Sequence, residues 1–337
     1  MAIIKTIAYP RIGLIGNPSD GYFGKTIAFT FGNFSANVKL WESPELEFEL
    51  SEADEHHFKD LNSFRERIGK LSYYGGIRLE KACLEMLCEY CEKHGIKLDR
   101  NFTIRYDTDI PLRKGLAGSS AIITATLLAI KEFYGFDIDE KEQAKLVWET
   151  EIKQLKIAGG LQDRVAQAYN KLVYMDFTNK EKVKHGYGEY EVMGDDILKK
   201  LMPRLFVAYR TDFGEESAVP HSDLRTRVFI KKEPKVIEAM KRFAEITDRA
   251  RICLDSENFE GLGLLMDENF DLRTEICSIN DRDREMVEIG RRLGAHVKFS
   301  GSGGAVVGLY DSAEKKDLKS AYEDASFVFL EKLKELQ

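Results

Sequence analysis

The chain has 337 residues, of which 43% are hydrophobic and 32% charged, so we expect a globular protein, and the length predicts two domains. The formal net charge of −7 argues against a general nucleic-acid binder. The longest apolar run, residues 121–130, is too short for a membrane span, and with no signal-peptide pattern at the start we expect a cytoplasmic protein that does not bind membranes.

The first part of the chain predicts strands separated by one glycine-rich loop. Period-2 and β-branched patterns predict strands at residues 2–9, 26–31, 33–40 and 45–50. Residues 11–24 lie between the first two predicted strands and contain four glycines, Asn17 and Asp20. Side chains of such a loop can converge on a ligand, although an ordinary surface turn has the same composition.

Two helices are predicted next, over residues 52–70 and from Ile77 to Glu92, the second ended by Gly95. Cys88 and Cys91 have the spacing of a metal half-site. The sequence has no second Cys/His pair at zinc-like spacing, and these cysteines repeat at helical intervals. We therefore interpret them as small core residues on one helix face.

A strand from Asn101 to Asp107 leads into the segment Pro111–Ala121, a small-residue loop that opens into an apolar helix. Small residues let a ligand approach the backbone, and a helix start directs N–H groups and a positive dipole end at it. These features predict an anion site for phosphate. The segment is not a Walker A loop, because no Lys-Ser/Thr pair follows its glycines. The alternative is an ordinary turn capped by Ser119.

After this helix, Asp139 is expected to cap a second helix from Glu140 to Gln154. Paired glycines then precede Asp163, which is either a helix N-terminal cap or a functional carboxylate. Lys171 to Phe177 should form a strand, and the charged connection after it contains the predicted boundary between domains 1–180 and 181–337.

The second domain should contain helices with amphipathic spacing and a strand–turn–strand unit. The glycine turn of that unit contains Gly301, Gly303 and Gly304. The other predicted elements are a strand at 205–209, helices at 235–253, 258–277 and 281–293, and strands at 296–299 and 305–310.

The three glycine segments, in this order, resemble the three motifs of the GHMP small-molecule kinases. The resemblance implies an α/β (α+β) fold of two domains: an N-terminal mixed sheet with helices on one face, and a C-terminal ferredoxin-like antiparallel sheet with helices. It also implies phosphoryl transfer from ATP with Mg²⁺, at a site between the domains. We expect a sugar and ATP as the small-molecule partners and a monomer or homodimer.

The resemblance assigns roles to individual residues. Asp163 falls on the catalytic carboxylate, which is either a true base or only orients the hydroxyl, and Arg11 balances charge on the transferring oxygens. The implied magnesium ligands are Ser120 and Glu151, and Glu149 is the alternative to Glu151. The ATP-binding residues implied are Gly115, Leu116, Ala117, Gly118, Ser119, Ser120, Gly301, Gly303 and Gly304.

Several blocks, among them residues 11–23, 73–79, 160–168 and 269–273, resemble the glucuronokinase subgroup, which phosphorylates the anomeric hydroxyl of D-glucuronate. Asn17-Pro18 replaces the Glu-His of galactokinases, which argues against galactose. A uronate carboxylate calls for an arginine, and three candidates stay open. The substrate-binding residues implied are Asp20, Asn17, Tyr74, Arg78, Arg164 and Arg273.

Other members of the family remain as alternatives. They are a kinase of another sugar or of a mevalonate-type alcohol, a decarboxylase on the same fold, and a non-catalytic ligand sensor. A sensor can dispense with the catalytic carboxylate, whereas this chain retains Asp163.

Overall fold

The computed structural model describes residues 2–51, 75–212, 223–310 and 315–336. The predicted helix at 52–70 and Tyr74 therefore lie outside the described residues. In the described ranges the strands are β1 (Ile3–Ala8), β2 (Arg11–Ile15), β3 (Lys25–Thr30), β4 (Ala36–Glu42), β5 (Glu47–Phe48), β6 (Phe102–Thr108), β7 (Val173–Asp176), β8 (Glu189–Val192), β9 (Leu205–Arg210), β10 (His296–Phe299), β11 (Ala305–Leu309) and β12 (Phe327–Leu330).

The helices of the same ranges agree closely with the sequence predictions where both exist. Their bounds are α1 (Ile77–His94), α2 (Gly118–Tyr134), α3 (Glu140–Glu149), α4 (Gln162–Tyr169), α5 (Lys180–Lys184), α6 (Asp195–Leu201), α7 (Pro234–Asp255), α8 (Phe259–Ile276), α9 (Asp281–Arg292) and α10 (Lys315–Asp324). In these parts of the chain, no helix has the length and hydrophobicity that crossing a bilayer requires.

The strands form three four-stranded sheets. The first has the order β1-β4-β6-β5 and is mixed, because β5 pairs parallel with β6. The second, β2-β3-β7-β8, and the third, β10-β11-β9-β12, are antiparallel. The N-terminal strands thus divide between a mixed and an antiparallel sheet, where the sequence predicted one mixed sheet, and the C-terminal antiparallel sheet is confirmed.

The second sheet is buried along β2 and β3. Every residue of β2 is buried, and β3 is buried from Thr26 onward. Helix α4 from the N-terminal half and helices α7 and α8 from the C-terminal half all pack on these strands. A strand covered on both faces does not alternate polar and apolar residues. Because this signal is missing from β2, the sequence predicted a loop where the structure has a strand.

Helix α2 is the centre of the N-terminal half. It packs against β1, β4 and β6 of the first sheet and against helices α1, α3 and α4. Its uninterrupted apolar stretch is buried, as expected for a helix surrounded by other elements. The packing of this helix therefore determines the position of its N-terminus and of the loop before it.

Three local predictions need correction or comment. Cys88 is exposed whereas Cys83 and Cys91 are buried, so Cys88 does not belong to the core face. Helix α3 ends at Glu149 and continues as a π-helical turn, Thr150–Gln154, rather than as one helix. The domain boundary at residues 180 and 181 stays a prediction, and β8, which follows it, pairs with β7.

Candidate active site

The centre of the candidate site is an ion pair between Arg11 and Asp163. Arg11 Nε donates to Asp163 Oδ1 at 2.7 Å, and Arg11 Nη2 lies 2.5 Å from the same oxygen. Arg11 is buried, whereas the Asp163 side chain keeps 20% of its exposure. Asp163 occupies the first turn of α4, which is capped at Leu161, so its alternative interpretation as the cap residue is wrong. The carboxylate is fixed in orientation and still accessible.

Asp20 lies beside this pair. Its Oδ2 accepts a hydrogen bond from the Gln162 backbone N–H at 3.3 Å. Burial, and then the charge of Asp163, raise the pKa of Asp20 from 3.8 to about 6. The approach depends on Gly160, because a Cβ there would lie 1.9 Å from Asp20 Oδ2. Two carboxylates from distant segments therefore meet at one point.

The loop before α2 presents the start of that helix to the site. The helix begins at Gly118, its cap residue Ala117 is left-handed with φ 64°, and no side chain caps it. The alternative of a turn capped by Ser119 is therefore wrong. Gln167 Nε2 and Ser120 Oγ donate to the Ala117 carbonyl at 2.9 and 3.1 Å, which fixes the cap residue. An uncapped helix start with its positive dipole end is suited to phosphate.

The third glycine segment lies directly against this loop. Arg11 Nη1 donates to the carbonyls of Gly115, at 3.2 Å, and of Ser300. A Cβ on Gly301 would lie 2.2 Å from the Gly115 carbonyl oxygen, so only glycine permits this approach. The Gly304 N–H donates to both carboxylate oxygens of Asp283 at 3.3 Å. Arg11 thus joins all three segments that the sequence identified.

The predicted magnesium ligands do not lie free. Glu151 is buried and Arg164 binds its Oε2 through two donors, Nε at 2.6 Å and Nη2. Although burial lowers the pKa of Arg164, the charges of Glu151 and Asp163 raise it above its ordinary value. The alternative ligand Glu149 pairs with Lys153 at 2.8 Å. Glu151 does not fit a metal in this arrangement, because the buried Arg164 already neutralises it. The pair that Glu149 forms with the exposed Lys153 is an i,i+4 pair of small energetic value, so Glu149 stays a predicted ligand.

Asn17 is placed as a bridge between the domains. Its amide Nδ2 donates to the carbonyl of Gly301 at 3.2 Å, and its Oδ1 accepts from Lys298 Nζ at 2.6 Å. Asn269, which had no predicted role, accepts from the Gly16 N–H at 2.6 Å and donates to the Asn17 carbonyl at 3.2 Å. These contacts occupy the polar atoms of Asn17. Substrate contact through its side chain stays a prediction.

The three arginine candidates for a substrate carboxylate differ in their surroundings. Arg78 is exposed on α1, and Arg164 is occupied by Glu151. Arg273 is buried and donates to the carbonyls of Gly301 and Ser302, both at 2.9 Å. Tyr74, the other predicted substrate contact, lies outside the described residues.

Sequence reasoning also missed Gln167, which donates to the carbonyls of Tyr9 and Ala117, both at 2.9 Å. It lies four residues after Asp163 on the same helix, and this spacing puts both side chains on one face. That spacing is a signal in the sequence. By contrast, the role of Asp283 depends on a contact with Gly304 across the fold, which spacing does not indicate.

Comparison with known proteins agrees with this geometry. The profile of the GHMP kinases N terminal domain matches residues 79–171, and that of the GHMP kinases C terminal domain matches residues 250–327. Two Arabidopsis thaliana proteins are similar over most of the chain. Probable glucuronokinase 2 is 41% identical, covering 89% of this chain and 82% of the relative. Glucuronokinase 1 is 40% identical, covering 91% and 84%.

Among solved structures, Lactococcus lactis galactokinase complexed with galactose superposes with a TM-score of 0.78 at 14% identity, covering 99% of this chain and 94% of the other. At that identity the superposition shows the fold alone. The two family profiles and the two long alignments at about 40% identity decide the family. The chain belongs to the GHMP kinase family.

Proposed function

We propose that the protein transfers the γ-phosphoryl group of ATP to the anomeric hydroxyl of D-glucuronate, giving glucuronate 1-phosphate and ADP. The observation that carries the proposal is the Asp163 carboxylate, fixed at 2.7 Å by Arg11, which also donates to the Gly115 carbonyl in the loop that leads into the uncapped start of α2. The similarity to two glucuronokinases at 40–41% identity supports the choice of sugar.

Catalysis of phosphoryl transfer depends mainly on positioning the reactants and on stabilising negative charge, and the residues of the site serve these two purposes. The hydroxyl oxygen forms a bond to the γ-phosphorus while the bond from that phosphorus to the ADP oxygen breaks. Asp163 orients the hydroxyl and accepts its proton. Arg11 stabilises negative charge on the transferring oxygens. Asp20, buried next to Asp163, binds hydroxyls of the sugar ring.

The nucleotide phosphates would bind at the start of α2, with the glycine loops of Gly115 and Gly301 around them. Mg²⁺ would enter with ATP and neutralise phosphate charge, and of the predicted ligands we retain the Ser120 hydroxyl and the alternative carboxylate, Glu149. Glu151 would first have to release Arg164, so we assign it to the ion pair instead. A cytoplasmic location and a monomeric or homodimeric state remain predictions.

A coupled ADP-release assay with ATP and magnesium tests the proposal. The substrates tested are glucuronate, galacturonate, glucose, galactose, mevalonate and mevalonate diphosphate, with direct detection of sugar 1-phosphate. We expect glucuronate to exceed the others in kcat/KM. Equal turnover of glucose would refute the uronate assignment. Turnover of mevalonate alone would assign the alternative alcohol, carbon dioxide release from a mevalonate diphosphate would assign the decarboxylase, and sugar binding without turnover would assign the sensor.

A further inference from the structure

Arg273 is a buried arginine held by neutral groups. It is 4% exposed. Its Nη1 and Nη2 donate to the carbonyls of Gly301 and Ser302, each at 2.9 Å, and the guanidinium carbon lies 5.0 Å from the centroid of the Phe299 ring. A guanidinium has five N–H donors, and carbonyl groups do not neutralise its charge.

The charge of Arg273 lacks a carboxylate within ion-pair distance in the parts of the chain that the structure describes. The other two buried arginines of the site differ, because Arg11 pairs with Asp163 and Arg164 with Glu151. Within the same ranges Arg273 Nε is buried without an acceptor. An arginine is rarely buried without an anion, and leaving such a charge unpaired costs several kcal/mol.

The position of Arg273 connects it with the sugar side of the site. The Gly301 carbonyl accepts from both Arg273 Nη1 and Asn17 Nδ2, so Arg273 lies beside the first loop. Burial lowers the pKa of Arg273, and the neighbouring acidic groups Cys277, Asp283, Tyr22 and Asp20 oppose that shift without forming an ion pair with it. On the far side of Asn17, Lys298 is buried on three neutral oxygens, so a second cation held by neutral groups lies near this point.

We propose that Arg273 binds the carboxylate of the uronate substrate and so determines the preference for a uronate over a neutral sugar. The inference rests on the proposed function and deepens it. A carboxylate at the Nε edge would accept from Nε and from a second donor of Nη2, the side-on geometry that arginine provides. Arg164 cannot do this while Glu151 holds its Nε and Nη2 donors.

The test compares glucuronate with glucuronamide, which replaces the carboxylate by a neutral group of the same shape. For the wild-type protein, kcat/KM should favour glucuronate by about 10²-fold, the value of a charged hydrogen-bonded pair. Arg273→Gln should bring this ratio close to 1, while Arg292→Gln, an exposed arginine on α9, should leave it unchanged. The KM for ATP is measured in parallel.

If Arg273 only supports the glycine loop, Arg273→Gln should lower kcat/KM equally for glucuronate and glucuronamide and leave their ratio unchanged. That result would overturn the inference. An unchanged ratio with a raised KM for ATP would overturn it too, because the anion would then be a phosphate. If Arg273→Gln does not fold, Arg273→Lys decides. A loss of about tenfold in the ratio supports the inference, because lysine lacks the planar fork, and a wild-type ratio refutes it. Wild-type protein that does not phosphorylate glucuronate would instead refute the proposed function.

Discussion

Replacing Asp20 by asparagine should stabilise the protein at neutral pH while it damages sugar binding. Asp20 is buried, and burial together with the charge of Asp163 raises its pKa from 3.8 to about 6. The folded state therefore holds the ionised form less favourably than the unfolded state does. Asparagine keeps an oxygen that can accept from the Gln162 N–H and removes the charge.

The size of the effect follows from linkage between ionisation and folding. Each tenfold change in an ionisation constant corresponds to about 1.4 kcal/mol, so a pKa raised from 3.8 to about 6 makes ionised Asp20 cost about 3 kcal/mol above pH 7. Because the folded pKa is raised, this cost is absent well below pH 3.8 and complete only well above a pH of about 6. The gain of Asp20→Asn should accordingly fall to about half near pH 5.

Urea denaturation of both proteins between pH 4.5 and 8 measures the difference in free energy of unfolding. A titration calorimetry experiment with glucuronate measures sugar binding, which we expect to weaken at least tenfold, about 1.4 kcal/mol for lost hydrogen bonds to a charged group. Asp137→Asn serves as the control, because Asp137 is exposed and its pKa is lowered by Lys131. If Asp20→Asn were less stable than wild type at pH 7.5, or its gain were independent of pH, the assigned pKa would be wrong.

Three further substitutions test the rest of the site. Asp163→Asn should lower kcat by about 10²–10⁴-fold with ATP binding retained, and steady-state kinetics with substantial activity left would remove Asp163 from its catalytic role. Gly160→Ala should raise the KM for sugar, since the Cβ would lie 1.9 Å from Asp20 Oδ2, and kinetics like wild type would show that the loops separate without cost. Glu151→Gln should destabilise the protein by about 3–5 kcal/mol, because it leaves Arg164 buried and unpaired. If Glu151→Gln unfolded at the same temperature as wild type but required more magnesium for activity, Glu151 would again be assigned as a metal ligand.

The sequence predicted those features that depend on nearby residues. The apolar run of α2, the capping of α3 by Asp139 and the C-terminal glycine at Gly95 are all local signals, and the structure contains each. The three glycine segments were found in the same way, since close backbone approach requires glycine wherever it occurs. These features indicated the family and predicted which segments contribute to the candidate site.

The partners of the charged side chains were decided only by the tertiary structure. Strand β2 was missed because helices from both halves of the chain cover it. Arg164 and Arg273 look alike in sequence, yet the π-helical turn after α3 brings Glu151 to Arg164, while Arg273 lies against backbone carbonyls. A sequence states which residues carry charge, and the folded chain decides which charges neutralise one another, because such pairs form between segments far apart in sequence and their strength depends on distance and burial.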